Sequence, residues 1–342
     1  MNRIKDQYEG IQALRFVAAL LVVLMHSTHY ASERLLIDVP IFSNGGAGVD
    51  IFFVISGFVM VIASNPLINR RDGWRLFVTR RLIRIVPLYW LLLSVKVLTI
   101  LLFPALLRDS TFDPIAIISS YLFLPSYNNE GEIAPILYVG WSLNFEMFFY
   151  SLLAIAMALR IDSLRLIATI FALLCLLAIV RTPDWPVASF YFDTIVLEFG
   201  LGMMIARAIG KGLNPSAAVC IGLILLGSLG LTPIWDKVPT LWRPLVWGLP
   251  ASMIVMGVAG LETVLKGHYP RSLLFMGSAS YALYLVHPLI APLVPAAMAR
   301  LGLASAGLSI LMSLIASMLA AVLVYHYAEA RATRFLRKRL AV

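Results

Sequence analysis

Apolar runs of roughly 17 to 25 residues recur along the whole chain, each long enough to cross about 30 Å of hydrocarbon as a helix. Ten such runs are read at 11–30, 47–64, 82–103, 136–159, 164–180, 187–209, 215–233, 241–262, 272–298 and 306–328. With 61% of the 342 residues hydrophobic and 13% charged, this is not the balance of a soluble globular protein. The expected fold is all-α: a polytopic integral membrane helix bundle of about ten transmembrane helices, one domain over 1–342 with no soluble domain. The first run has no small-residue cleavage site and is followed by further runs, so it is read as a retained helix rather than a secretory signal.

Orientation follows from the basic residues. With the N-terminus inside, nineteen fall in inner segments: Arg3, Lys5, Arg70, Arg71, Arg75, Arg80, Arg81, Arg84, Arg160, Arg165, Arg207, Lys211, Lys266, Arg271, Arg331, Arg334, Arg337, Lys338 and Arg339. Six fall outside: Arg34, Arg108, Arg181, Lys237, Arg243 and Arg300. Both termini are therefore expected in the cytoplasm. The formal charge of +9 is largely topology signal and calls for no nucleic acid partner. The basic C-terminal run RATRFLRKRL reads as a headgroup anchor. Cys175 and Cys220 lie in separate runs and suggest neither a disulfide nor a metal site.

Ionisable groups inside spans cost roughly 2.5 to 3.5 kcal/mol each on insertion scales, so each raises a functional question. Arg15 and His26 are eleven residues apart, which is three turns plus about 20° and an axial rise of about 16 Å. They share one face of the first helix, Arg15 toward the inner half and His26 toward the outer. A snorkelling arginine and a packing histidine are the plain alternative. His29, nearer the surface, is read as interfacial.

Asp50, in GGAGVDIFFVISGF, opens the second span where a carboxylate suits the positive end of the helix dipole. At about the depth of His26, it is expected to orient the imidazole, with a plain N-terminal cap as the alternative. Arg80, Arg81 and Arg84 begin the third span at spacings that share a face and suit phosphate binding. Glu146, in VGWSLNFEMFFY, either pairs with an arginine or serves in proton transfer. In SASYALYLVHPLI, His287 lies in the outer half with Tyr281 and Tyr284 on roughly the same side. Asp193 and Glu198, five apart, face different ways and are not joined in one site. Two polar layers result: arginines at the inner side, and His26, Asp50, Glu146 and His287 in the outer half. Such a layout suits an anionic donor held from inside with base-assisted chemistry deeper in the membrane. A transporter or flippase for a lipid-linked glycan would use the same charges to bind substrate or carry protons.

Taken in order, LRFVAALLVVLMHS, GGAGVDIFFVISGF, FVTRRLIRIVPLYW, VGWSLNFEMFFY and SASYALYLVHPLI resemble the acyltransferase 3 family of bacterial membrane O-acyltransferases over nearly the whole chain. The resemblance implies a ten-helix enzyme of the bacterial inner membrane that moves an acyl group, commonly acetyl, from acyl-coenzyme A to a glycan hydroxyl. It implies no permanently bound cofactor, with acetyl-CoA or a related acyl-CoA expected as donor and a glycan or lipid-linked glycan as acceptor. The family's arginine and histidine of the first helix match Arg15 and His26, and its arginine pair matches Arg81 and Arg84. Asp50 and Glu146 match its aspartate and glutamate, so His26, Asp50 and Glu146 are the expected catalytic residues. Arg15, Arg80, Arg81 and Arg84 are expected at the donor, and Tyr284 and His287 at the substrate. His26 would act as general base or transient acyl carrier. Many members close with Glu-Lys-Pro; here YHYAEARAT keeps Glu329 without the lysine or proline, so no role is carried to that end. The chain is similar to the short, stand-alone members that decorate exopolysaccharide or lipo-oligosaccharide.

Overall fold

In the computed structural model, which describes residues 8–103, 112–128, 131–182, 184–232 and 238–340, fifteen α-helices follow one another. They are α1 Glu9–Leu35, α2 Ala47–Ser64, α3 Gly73–Leu102, α4 Pro114–Tyr121, α5 Trp141–Leu159, α6 Ser163–Val180, α7 Val196–Gly210 and α8 Ala217–Gly230. Then come α9 Leu249–Gly260, α10 Glu262–Leu265, α11 Arg271–Ser278, α12 Ser280–Ile290, α13 Leu293–Arg300, α14 Ala306–Val324 and α15 Ala330–Leu340. The only β pairing among the described residues is an isolated bridge between Tyr127 and Ile133. Arg3, Lys5, Arg108 and Lys237 lie outside the described residues.

Among the described residues, eight helical stretches are long and apolar enough to cross a membrane, and the chain is a multi-pass membrane protein. The sixth and seventh expected spans are shorter helices, α7 of 15 and α8 of 14 residues. Residues 187–191 form a 3-10 turn instead of continuing α7 backwards, which leaves that helix about 22 Å long against about 30 Å of hydrocarbon. Between α3 and α5 lies the short helix α4. Asp113 caps it by accepting from the Ile115 and Ala116 amides, and Trp90 of α3 donates to the Tyr121 carbonyl at 2.9 Å.

Helix α1 is the hub, packed against α2, α9, α11, α12, α13 and α14, with Ala18, Ala19, Val22 and Val23 buried. Its seam with α2 depends on two glycines of the GGAGVD segment. A Cβ on Gly48 would meet the Ala18 carbonyl oxygen, and one on Gly45 the Leu21 carbonyl oxygen. Such small residues let helix backbones touch where lipid supplies little force to press them together. From Ser280 to His287 every residue of α12 is buried, so this helix threads the middle of the bundle. Two π-turns interrupt the regular pattern, at Pro244–Gly248 before α9 and at Tyr325–Glu329 after α14.

Candidate active site

His26 of α1 and His287 of α12 meet ring to ring, with centroids 5.0 Å apart and His287 Nε2 3.1 Å from His26 Nδ1. Each ring also turns back on its own helix: His26 Nδ1 lies 3.0 Å from the Val22 carbonyl and His287 Nδ1 3.1 Å from the Leu283 carbonyl. Both carbonyls lie four residues earlier, the same local geometry on two helices. His287 is wholly buried with both nitrogens engaged, which leaves it no free edge for the substrate contact expected of it. His29 is exposed.

Asp50 does not reach the imidazole. Its carboxylate is fully buried and forked by Arg243, with Nε to Oδ1 at 2.8 Å and Nη2 to Oδ2 at 2.9 Å. Asp50 is therefore the counter-ion of an arginine 193 residues away in sequence, and the expected orienting role toward His26 is corrected. The guanidinium also lies 5.1 Å from the Trp247 ring and 5.9 Å from that of Trp141. A buried charge keeps its place only with partners of this kind, because several kcal/mol of lost hydration must be offset. Asp193 and Glu198 lie within electrostatic range of Arg243, though spacing alone did not join them, and both Glu198 oxygens are buried without a hydrogen-bond partner.

Toward the N-terminal end of α1 a cavity of about 100 Å³ opens, lined by Arg15, Arg81, Arg84, Ser56, Glu146 and Tyr281 among others. Arg84 pairs with buried Glu329 at 3.2 Å and lies 6.0 Å from the Tyr281 ring. Arg81 Nε is buried with no hydrogen-bond partner. Arg80 does not line the cavity, but with Arg81 and Arg84 it lies within electrostatic range of Arg337 on α15. Glu146 belongs to this end and not to the histidine layer. Its Oε1 accepts from Ser56 at 3.1 Å and from Tyr150, and its charge bears on Arg15. Six residues separate Ser56 from Asp50 on α2, about 9 Å along the axis.

Tyr284 links the two ends. It lines the cavity, donates to the Val139 carbonyl at 3.2 Å and meets Ser142 Oγ at 2.8 Å. Its ring centroid is 6.1 Å from that of His287, so the cavity stops within one ring of the histidine pair. Arg243 and Glu329 were not among the expected site residues. Arg243 immediately precedes one π-turn and Glu329 ends the other, and single wide turns of this kind recur at functional positions.

A family model described as an acyltransferase domain, that of the acyltransferase 3 family, matches residues 8–326. The chain is similar to the exopolysaccharide production protein ExoZ of Rhizobium meliloti, 36% identical over 298 residues, covering 82% of this chain and 85% of that protein. It is also similar to the acyltransferase MdmB of Streptomyces mycarofaciens, 26% identical over 315 residues, with 81% and 77% covered. The O-acetyltransferase OatA of Staphylococcus aureus is 25% identical over 311 residues, 81% of this chain but only 49% of that protein. No solved structure matches the chain.

Proposed function

The chain belongs to the acyltransferase 3 family, and from that premise we propose that it transfers an acetyl group from acetyl-coenzyme A to a hydroxyl of an exported glycan, exopolysaccharide first. In this reading the protein lies in the bacterial inner membrane as one domain with ten crossings, the two short helices α7 and α8 included. Both termini and the arginine end of the cavity face the cytoplasm. The name of the ExoZ relative supports the choice of polysaccharide.

One observation carries the reading: a single cavity begins at guanidinium groups with a partnerless donor and reaches Tyr284, whose ring centroid lies 6.1 Å from that of His287. The arginines are suited to the donor's phosphates because a guanidinium offers forked, charge-assisted hydrogen bonds. The thioester arm then runs toward His26, over an axial interval of about 16 Å between Arg15 and His26. A cavity of about 100 Å³ has room for only a few water molecules, so the arm parts its lining on binding.

His26 acts as the general base. Its unprotonated ring nitrogen takes the proton of the acceptor hydroxyl as the oxygen attacks the thioester carbonyl. The carbon–sulfur bond then breaks and the proton passes to the departing sulfur, giving an O-acyl glycan and free coenzyme A. Glu146, held by Ser56 and Tyr150, serves at the donor end, where its charge offsets that of Arg15 and keeps the guanidinium in the cavity.

The test compares O-acyl content of cell-surface polysaccharide in a deletion strain complemented with the intact gene or with His26→Ala at matched protein level. The variant should leave the polysaccharide unacylated, and purified protein should consume acetyl-CoA only with a glycan acceptor present. Normal acylation by His26→Ala would remove His26 from the chemistry. Glycan translocation without thioester consumption would favour a flippase.

A further inference from the structure

The contacts around the histidine pair determine where the protons sit. A carbonyl oxygen only accepts, so the nitrogen facing it must be the N–H of its ring. His287 Nδ1, 3.1 Å from the Leu283 carbonyl, therefore bears a hydrogen. In a neutral ring this leaves His287 Nε2 as an acceptor. Both groups within reach of His26 Nδ1, the Val22 carbonyl at 3.0 Å and His287 Nε2 at 3.1 Å, are then acceptors. His26 Nδ1 consequently carries the hydrogen and shares it between them. The opposite assignment would point a lone pair of His26 at the Val22 carbonyl, two acceptors facing each other. His26 Nε2 remains without a hydrogen, and no described residue engages it.

We propose that His287 is the positioning residue of the reaction: it accepts the Nδ1 hydrogen of His26, fixing the tautomer and ring plane that leave the Nε2 lone pair free for the acceptor hydroxyl. This is the place the sequence suggested for Asp50, filled by a neutral imidazole because Asp50 is committed to Arg243. Burial suits a neutral partner, since no second charge need be desolvated when the pair is idle. When His26 takes the hydroxyl proton at Nε2, its Nδ1 hydrogen stays in place. The bond to His287 then becomes charge-assisted, and such bonds are roughly twice as strong as neutral ones. His287 gains and loses no proton in the cycle.

The inference rests on His26 being the base, and two substitutions at 287 separate its fate from that of the wider reading. His287→Gln can present an amide oxygen near the place of Nε2 and restore an acceptor for His26. His287→Asn can keep the donor toward the Leu283 carbonyl but is too short to reach His26. With the full-length protein in detergent or nanodiscs, acetyl-CoA as donor and purified polysaccharide as acceptor, Asn is expected to lower kcat by about 100-fold, the lower end of general-base effects. Donor KM should stay within about twofold, since the arginine end is untouched. Gln should recover to within about tenfold of the unaltered enzyme, the loss expected of one imperfect hydrogen bond. Adding His287→Asn to His26→Ala should cost nothing further, because groups that act as a unit are not additive. Equal losses in Gln and Asn, full activity in Asn, or a further drop in the double variant would each overturn the proposal. If His26→Ala itself retains activity, the base assignment has failed instead.

Discussion

The two ends of the polar seam are built on opposite terms. At the histidine end Asp50 is forked by Arg243 and His287 is held at both nitrogens, while both oxygens of Glu198 are buried without a hydrogen-bond partner, so carboxylates outnumber the cation there. At the arginine end cations outnumber their counter-ions. Arg15, Arg81 and Arg84 share Glu146 and Glu329, Arg81 Nε is buried without a partner, and Arg337 draws near with the same sign. An excess of buried carboxylate repels an anion, whereas an excess of guanidinium attracts one. On the proposed function, the first end orders the chemistry and the second receives the donor.

That contrast can be broken at its histidine end first. Arg243→Ala leaves the Asp50 carboxylate buried without its cation and should cost about 3 to 5 kcal/mol, read as a large fall in thermal unfolding temperature of the solubilised protein. Replacing both partners together, Asp50→Leu with Arg243→Met, should recover most of the loss. An Arg243→Ala protein as stable as the unaltered one would mean that the fork holds nothing in place. At the arginine end, Arg84→Gln should raise donor KM about ten- to hundredfold, the equivalent of a charge-assisted hydrogen bond, and leave kcat within about threefold. A fall in kcat at unchanged KM would erase the division of labour.

Further from the seam, Arg337→Ala should raise donor KM only about two- to fivefold at low salt. The effect should fade as ionic strength shortens the Debye length below about 8 Å. The smallest effect belongs to an exposed pair that serves as the control. Arg207 donates to Asp162 at 2.9 Å, and this contact, followed by the Arg165 amide, holds the Asp162 carboxyl below the ordinary aspartate value of 3.8. A carboxyl depressed on folding adds stability above its unfolded pKa and loses it as pH falls through the folded one. Asp162→Asn should therefore destabilise by less than about 1 kcal/mol at neutral pH, since the pair is solvent-screened. The difference should vanish in an acid scan as pH falls through the depressed folded value.

The sequence was most informative where a single helix holds both members of a relation. Arg15 and His26 share a face because eleven residues nearly complete three turns, and Arg81 and Arg84 line the same cavity for a similar reason. Relations that cross the bundle were not legible. His26 meets His287 across 261 positions and Asp50 meets Arg243 across 193, and no periodicity reports such pairings. Depth was misread for Glu146, because α2 and α5 pack so that it faces Ser56 and not the level of Asp50. The spans were legible as apolar runs, but composition could not reveal that residues 187–191 would form a 3-10 turn and shorten α7.

The π-turn at Tyr325–Glu329 acts as a phase adjustment. Before it, α14 buries Ser309, Ser313, Ser317 and Ala321 at every fourth position, a stripe that winds by about 40° per step. Two further such steps in a regular helix would carry Glu329 roughly 80° beyond Ala321. The wider turn takes up this angle, and Glu329 arrives buried against Arg84. One residue of chain length thus sets whether the last helix brings a carboxylate to the arginine end, so a single-codon insertion or deletion there would switch that counter-ion in or out without altering any side chain that lines the cavity.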